Sequence, residues 1–433
     1  MRLLICTLYF PPCTLTPANR TYSWAKYLNQ FGIYPIIITR QWPATFTSEL
    51  YEERSVGEEL VIEKHDHYEV HYLPFRGNYI TRSLEKHGPN KNKMARRVVL
   101  VFGQLLRNIF TGFLPYKDLY NYTLNYVASN KVDKMLISGS PFQLFKIGYL
   151  AKKKHRVPWI ADYRDGWTSG NHNYPPGILG KLERISNKYF EKKWLRTADG
   201  FTTVSPYLKQ CIEDTIGIKG NIVYNGFLGD NIAPLPAPTD KTSINFLYSG
   251  SMYSSQDYLT LTQVFKKLIE TYRDRINIKL IFLGTIYNNE QFKNDTVFDG
   301  YRDHFILMNR VNYAEAMEIH RTADVFIMLA YQGSKGIPSS KLFDYMKFRR
   351  PVLFFPNDHD VLEEILTRSG LGIIANDAEA LEQELKKLID KKIDTGTIEP
   401  QADPTYINSF NRENQAGILA GVIKESINKG NGK

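Results

Sequence analysis

The sequence is poor in cysteine. Three occur in 433 residues, Cys6, Cys13 and Cys211, with no CxxC pair and no metal-ligand spacing. That argues against a disulfide-stapled scaffold and a zinc module, and an odd, sparse set points to a reducing compartment. Long apolar runs are also missing, and no stretch reaches the roughly 20 residues that span a bilayer. The opening "MRLLICTLYFPP" is apolar but stops at Pro11 without a small-residue cleavage site, so it reads as a first β-strand and not as a signal peptide. There is no GxxxxGK[ST], and no GxGxxG follows an expected strand, which disfavours P-loop and classical dinucleotide sites. Acidic residues are in deficit, 45 against 55 Lys and Arg, for a net charge of +10 and a pI of 9.1. Such a balance favours an anionic partner. Nucleic acid is the poorer candidate, because the basic residues are scattered and no known binding module is present. Phosphorylated substrates and an anionic membrane surface remain. The expected location is cytoplasmic, with peripheral attachment to the inner face of the cell membrane as the variant.

Apolar content of 43% and charged content of 23% are those of an ordinary globular protein; aromatics reach 13%. A chain this long is expected to form two domains. Short apolar runs alternate with helix-period segments: "RLLICTL", a helix near 17–31, "YPIIIT", then "KMLIS", a helix near 141–155, "PWIA", a helix near 179–198, "GFTTV" and "NIVY". "APLPAPTDK" (233–241) breaks the pattern and reads as a proline-rich hinge. The alternation then restarts with "INFLYS", "IKLIFL", "FILM", "DVFIML", "PVLFF" and "LGII", each separated by helical segments. This is the pattern of α/β domains with parallel sheets. The expected organisation is a Rossmann-like domain over 1–235, a second over 243–400, the two facing a cleft, and a 401–433 tail whose helix returns to the first.

Ligands of open α/β sheets bind beyond the carboxyl ends of the strands, and four stretches fall there. In "GIPSSKLFDYM" (336–346), the N–H groups near Ser339 and Ser340, with Lys341, suit an anion, and Asp344 one turn on suits ribose hydroxyls. The plain alternative is a capped helix with an i,i+3 ion pair. In "YSGSMYSSQD" (248–257), Gly250 and Ser251 allow close backbone approach to a phosphate, or simply form a turn. In "PWIADYRDGW" (158–167), Asp162, Arg164 and Asp165 are charges after a strand, and Trp167 is a platform for a sugar ring; the alternative is an internal Arg–Asp pair. In "YFPPCTLTPANR" (9–20), a helix starts near Pro17, and Arg20 either reaches a phosphate or is a surface arginine.

Two further features are weighed. "HDHYEVHYL" sets His67, Glu69 and His71 at alternate positions, a metal-ligand spacing or, more simply, one face of a strand. "KNKMARRVVLVFGQLLRNIF" mixes basic and apolar residues in the manner of an interfacial helix or of a helix packed on its own domain.

Taken together, these pieces resemble family 4 of the retaining glycosyltransferases, which have the GT-B fold. The resemblance rests on "YFPP…R…WAKYL…G…IIIT", "VDKMLISGSPF", "VPWIADYRDGW" (similar to a bacterial branch reading close to "DFRDPW"), "VYNGF" and "ADVFIMLA…GIPSSKLFDYMKFRRPVL", in the family's order across nearly the whole chain. It implies transfer of a sugar from a nucleotide diphosphate sugar to a growing glycan, with lipid-linked acceptors among the candidates, as in bacterial polysaccharide, capsule or O-antigen synthesis. It implies no cofactor or metal besides the nucleotide sugar substrate. Gly250, Ser251, Ser339, Ser340, Lys341 and Asp344 would hold the donor, Pro17, Arg20, Asp162 and Trp167 would face the acceptor, and Asp165 with Arg164 would serve the catalytic loop. The leaving phosphate itself can take the acceptor's proton in this family's proposed mechanism. The chain departs from the pattern where the family has two glutamates separated by seven residues. Asp344 matches the second and Gly336 stands at the first. The Gly-Gly of the first loop is replaced around Thr16, Pro17 and Ala18, and the arginine–lysine pair that grips the diphosphate has no match after Gly250. Lys341 and backbone donors are left for that task. A nucleotide-sugar epimerase of the same fold, or a non-catalytic subunit of a glycan assembly complex, are the alternative readings.

Overall fold

A computed structural model of the chain describes residues 1–43, 57–75, 86–88, 92, 94–95, 103, 106–110, 116–169, 174, 177–229, 239–286 and 289–428. It divides into two compact units, Met1–Tyr224 with Arg412–Lys433, and Asn225–Asn411.

The first unit holds β1 (Arg2–Cys6), β2 (Tyr34–Arg40), β3 (Val61–Lys64), β4 (Glu69–Leu73), β5 (Lys134–Ser138), β6 (Trp159–Tyr163), β7 (Gly200–Thr203) and β8 (Gly220–Ile222). They form one sheet in the order β3-β4-β2-β1-β5-β6-β7-β8, with β3 antiparallel to β4 and the remaining pairs parallel. Between them run α1 (Thr16–Tyr27), α2 (Lys117–Ser129), α3 (Phe145–His155), α4 (Ile178–Leu195) and α5 (Pro206–Ile216). The central strands are buried on both faces, as parallel sheets require. Local chemistry sets the helix ends. In α5 the Ser205 side chain accepts the Leu208 N–H (3.2 Å), Pro206 fills the first turn, and Gly217 closes the last at φ +77°.

The second unit is all parallel: β9 (Ser243–Ser249), β10 (Asn277–Leu283), β11 (Phe305–Met308), β12 (Val325–Leu329), β13 (Val352–Phe355) and β14 (Gly372–Ile374), ordered β11-β10-β9-β12-β13-β14. Its helices are α6 (Tyr258–Tyr272), α7 (Glu290–Lys293), α8 (Tyr313–Arg321), α9 (Ser340–Met346), α10 (Val361–Ser369), α11 (Ala378–Thr395) and α12 (Pro404–Ser409). The last helix, α13 (Arg412–Asn428), belongs to the first unit and packs on α1. Both units are Rossmann-like α/β layers.

The division falls at Tyr224, ahead of the expected 235, and the 401–433 segment is split, with α12 in the second unit and α13 in the first. Residues 233–238 of the expected hinge lie outside the described residues, as does most of 91–105, including Arg96 and Arg97. His67 precedes β4 and bonds Asn29 (3.1 Å), whereas His71 bonds the Tyr122 hydroxyl (2.8 Å) and Glu69 accepts from Tyr126 (3.2 Å). Among the described residues no group of three His, Cys, Asp or Glu is placed to hold a metal.

In each sheet the strand order reverses beside its first strand, between β1 and β5 and between β9 and β12. Such reversals are where this sheet type binds ligands.

Candidate functional site

At the reversal in the second unit the two strands part early. Pairing of β9 with β12 is confined to Phe246–Val325 and Leu247–Phe326. Beyond that, side chains take over the ladder. The Ser249 N–H donates to the Tyr345 hydroxyl (2.8 Å), and the Gln256 amide donates to the Leu329 carbonyl (3.0 Å). Tyr345 is fixed for this by stacking on Phe326, with ring centroids 4.2 Å apart.

Gly250 follows at φ +105°, and a Cβ there would stand 2.6 Å from Lys341 Cε. The glycine therefore serves both a backbone conformation that other residues avoid and the passage of the lysine stem. The Lys341 ammonium lies over the Tyr248 ring at 4.2 Å, donates to the Tyr248 hydroxyl, and donates to the Ser251 carbonyl at 3.2 Å. Burial lowers this half-buried ammonium to about 7. Among the described residues no carboxylate pairs with it. Lys341 thus belongs to the strand-end loop rather than to a solvated helix face. Gly284, at the end of β10, has φ +79° and would place a Cβ 3.8 Å from Gly250 Cα and 3.9 Å from Arg310 Cα, so the ends of β9, β10 and β11 converge here.

Helix α9 enters this region with Ser339 at its N-cap, buried, without a side-chain cap bond to the helix. The first N–H groups of any helix lack partners inside it. Asp344 is half-buried on α9 and raises the Lys347 ammonium against the dominant lowering by burial.

Asp360 was not singled out from the sequence. It is the N-cap of α10 yet makes no cap bond there. Asp358 does that work, accepting from the N–H of Asp360 (3.0 Å), Leu362 (3.3 Å) and Glu363 (3.3 Å). Asp360 is left to accept the N–H of Gly336, which is buried at φ +72°. A carboxylate thus comes to the glycine position from another loop, where no linear motif would reveal it. Tyr248 and Tyr345 were missed for the same reason, since their hydroxyls act across strands.

In the first unit Arg20 and Asp162 close on each other. Arg20 Nη2 lies 2.8 Å from Asp162 Oδ1, and both side chains are buried. Asp162 also accepts from Thr202 (2.8 Å) and Ser138 (3.1 Å), and Arg20 donates to the carbonyls of Val223 (2.9 Å) and Tyr224 (3.2 Å). These two residues, expected to face an acceptor, instead tie together the ends of α1, β5, β6, β7 and β8. The reason is that β6 runs to Tyr163, so Asp162 sits within the strand and not in a loop after it. Trp167, the expected sugar platform, is buried. It stacks on Phe142 at 5.5 Å and Trp194 at 5.6 Å, so its faces are spent on the core. Pro17 is in the first turn of α1 and half-buried.

Arg164 and Asp165 are different. Arg164 reaches the reversal between β1 and β5, donating to the carbonyls of Gly139 (3.4 Å) and Ser140 (3.3 Å) and lying 5.4 Å from the Tyr9 ring centre. Asp165 beside it is exposed.

Residues 235–402 match the family model of glycosyl transferases group 1. The second unit is a glycosyltransferase domain. The whole chain is similar in structure to sucrose-phosphate synthase from Thermosynechococcus elongatus, with a TM-score of 0.64, 12% identity and 98% of each chain covered. It is also similar to an α,α-trehalose-phosphate synthase (UDP-forming) from Burkholderia xenovorans, solved with glucose-6-phosphate, with a TM-score of 0.62, 10% identity and 99% of each chain covered. A glycosyltransferase from Rickettsia africae gives a TM-score of 0.59 and 16% identity over 98% of each chain. No curated protein matches the sequence. The chain has the GT-B fold, and its transferase domain carries Lys341, Gly250 and Asp360 at the strand ends described above.

Proposed function

We propose that the chain transfers a sugar from a nucleoside diphosphate sugar to a growing, lipid-linked glycan with retained configuration at the anomeric carbon. The observation that carries this reading is the Lys341 ammonium, held among hydroxyl and carbonyl oxygens at the β9–β12 reversal without a carboxylate among the described residues. A diphosphate supplies the missing negative charge. Gly250, Ser251 and the N–H groups of Ser339 and Ser340 complete its surroundings, and Asp344 takes the ribose hydroxyls. As the bond to the sugar breaks, charge grows on the leaving phosphate, and a preplaced cation lowers the barrier. The scheme gives this task to Lys341 and backbone donors, with no metal. Asp165, exposed beside Arg164, is assigned to the catalytic loop.

The test is a mass-spectrometric screen of nucleotide sugars, with and without a polyprenyl diphosphate-linked sugar acceptor. One donor should give acceptor-dependent product. Donor cleavage to a free sugar isomer without acceptor would support the epimerase reading, and donor binding without any turnover would support a non-catalytic subunit. Asp344→Ala should weaken nucleoside diphosphate binding in calorimetry, and wild-type affinity would remove the ribose assignment.

A further inference from the structure

Up to Glu191, helix α4 is built the reverse way from a helix packed on its sheet. Its buried face carries Glu183, Asn187 and Glu191 at every fourth position. Each is satisfied. Glu183 accepts from Arg107, Asn187 accepts from Asn108 (2.8 Å), and Glu191 accepts from the Tyr163 hydroxyl (2.9 Å) and from Thr168. Trp194 and Leu195 are buried at its last turn, but most apolar residues of the earlier turns face outward. Ile178, Leu182, Ile185 and Tyr189 are 75%, 46%, 66% and 58% exposed. Their spacing of four, three and four residues makes one continuous ridge, with Leu179 beside it. Single exposed leucines are ordinary, but a ridge of large apolar side chains marks an interaction surface.

Its flanks carry one sign of charge. Lys181, Arg184, Lys188 and Lys193 are exposed, and both acids of the helix are on the buried face. Lys193 lies 5.5 Å from the Tyr189 ring and 5.7 Å from that of Phe190, its stem laid along the aromatics.

We propose that this face of α4 docks on an anionic bilayer, with the ridge at the acyl boundary and the lysines and arginine reaching lipid phosphates. Long basic side chains suit that depth because their stems are apolar and their heads stay wet. Charge selects this occupant, since a second copy of the same face would set like charges against each other. The chain enters α4 from the loop that leaves β6, so Ile178 is at the carboxyl end of the first sheet, the end that also bears Asp165. The proposal goes beyond the transfer reading and holds with or without it.

The test is flotation at low salt with vesicles of phosphatidylglycerol and phosphatidylcholine, against vesicles of phosphatidylcholine alone. The protein should float with the anionic vesicles and be released by added salt. Leu182→Ser/Ile185→Ser and Lys181→Glu/Arg184→Glu/Lys188→Glu should each lower partitioning by about tenfold or more. Unchanged thermal unfolding and nucleoside diphosphate binding would show that both variants are folded. No flotation of the wild type at low salt, or flotation unaltered in both variants, would overturn the proposal. So would self-association in sedimentation that the Leu182→Ser/Ile185→Ser variant abolishes without any lipid effect, since the ridge would then join two copies.

Discussion

The ends of β6 and β9 make an instructive pair. Both bring charged side chains to the carboxyl edge of a parallel sheet, and both look like sites in the sequence. At β6 the charge is closed: Asp162 is matched by Arg20, Thr202 and Ser138, and Arg20 by two further carbonyls. The Arg20–Asp162 pair is matched within the fold, and Arg164 and Asp165 beyond it are the charges that remain. At β9 the charge is open, because Lys341 has a hydroxyl and a carbonyl for company and no carboxylate among the described residues. A charge at a strand end is therefore a weak sign of function, and a charge without its counter-charge is a stronger one.

The largest expected effect tests the closed end. Asp162→Ala removes the carboxylate that faces the buried Arg20 guanidinium, which costs about 3–5 kcal/mol. All five tryptophans, Trp24, Trp42, Trp159, Trp167 and Trp194, lie in the first unit, so tryptophan fluorescence in urea follows that unit alone. The midpoint should drop sharply. An unmoved midpoint would mean that the pair is not structural, and the contrast between the two ends would collapse.

Next comes the open end. Lys341→Met should weaken nucleoside diphosphate binding by about 1.5–3 kcal/mol, the worth of a hydrogen bond to a charged group. Tryptophan-reported stability should not move. Gly250→Ala should act in the same direction, because its Cβ would meet Lys341 Cε at 2.6 Å in a backbone conformation at φ +105°. Calorimetry decides the matter, and full affinity in Lys341→Met would take the diphosphate away from this lysine.

The pH dependence sharpens the same point. Burial holds the Lys341 ammonium at about 7 in the free protein. A bound diphosphate favours the charged form, so the value rises on binding and the complex takes up a proton whenever the pH exceeds 7. Affinity should fall as pH rises above about 7, and this part of the fall should vanish in Lys341→Met. Stability runs the other way. The unfolded chain, with lysine at 10.5, binds more protons than the folded one between 7 and 10.5. Lys341 therefore weakens the fold at and below 7, and the penalty lifts as pH rises through that window. Calorimetric titrations at pH 6.5, 7.5 and 8.5 in buffers of different ionisation heat would register the proton uptake, and its absence would break the assignment.

Much of the architecture was legible because it depends on periodicity. The apolar runs "INFLYS" and "DVFIML" became β9 and β12, and the segment near 179–198 became α4. The anion-site reading of Lys341 came from its own motif, and the structure adds its place over the Tyr248 ring. Trp167 and Asp162 were misread because strand register and core packing decide where they point, and one residue of strand length turns a loop aspartate into a buried one. Asp360, Tyr248 and Tyr345 were invisible because their partners are distant in sequence: Gly336, Lys341 and Ser249. The outward ridge of α4 was hidden by a composition that reads as an ordinary amphipathic helix until Glu183, Asn187 and Glu191 are known to lie on its buried face.

The smallest effect probes what lies under the open end. His320 on α8 is buried among Phe326, Tyr345 and Phe348, and neither ring nitrogen has a hydrogen-bond partner. Burial, aided by Lys347, lowers its imidazole from 6.5 to about 4. The ring is thus neutral at pH 7, and it wedges against the Tyr345 ring whose hydroxyl accepts the Ser249 N–H. His320→Leu removes two unsatisfied polar atoms and should stabilise the second unit by about 1 kcal/mol at pH 7. Between 6.5 and 4 the unfolded chain binds the proton that the folded one refuses, so the wild type loses stability as pH falls through this window. The leucine variant lacks that loss, and its advantage should widen as pH drops. Calorimetric melting at pH 7 and pH 5 measures both quantities. A leucine variant that melts lower at both values would mean that the imidazole supports Tyr345 by its shape, and that the Tyr345–Ser249 contact depends on a residue with no charge and no hydrogen bond of its own.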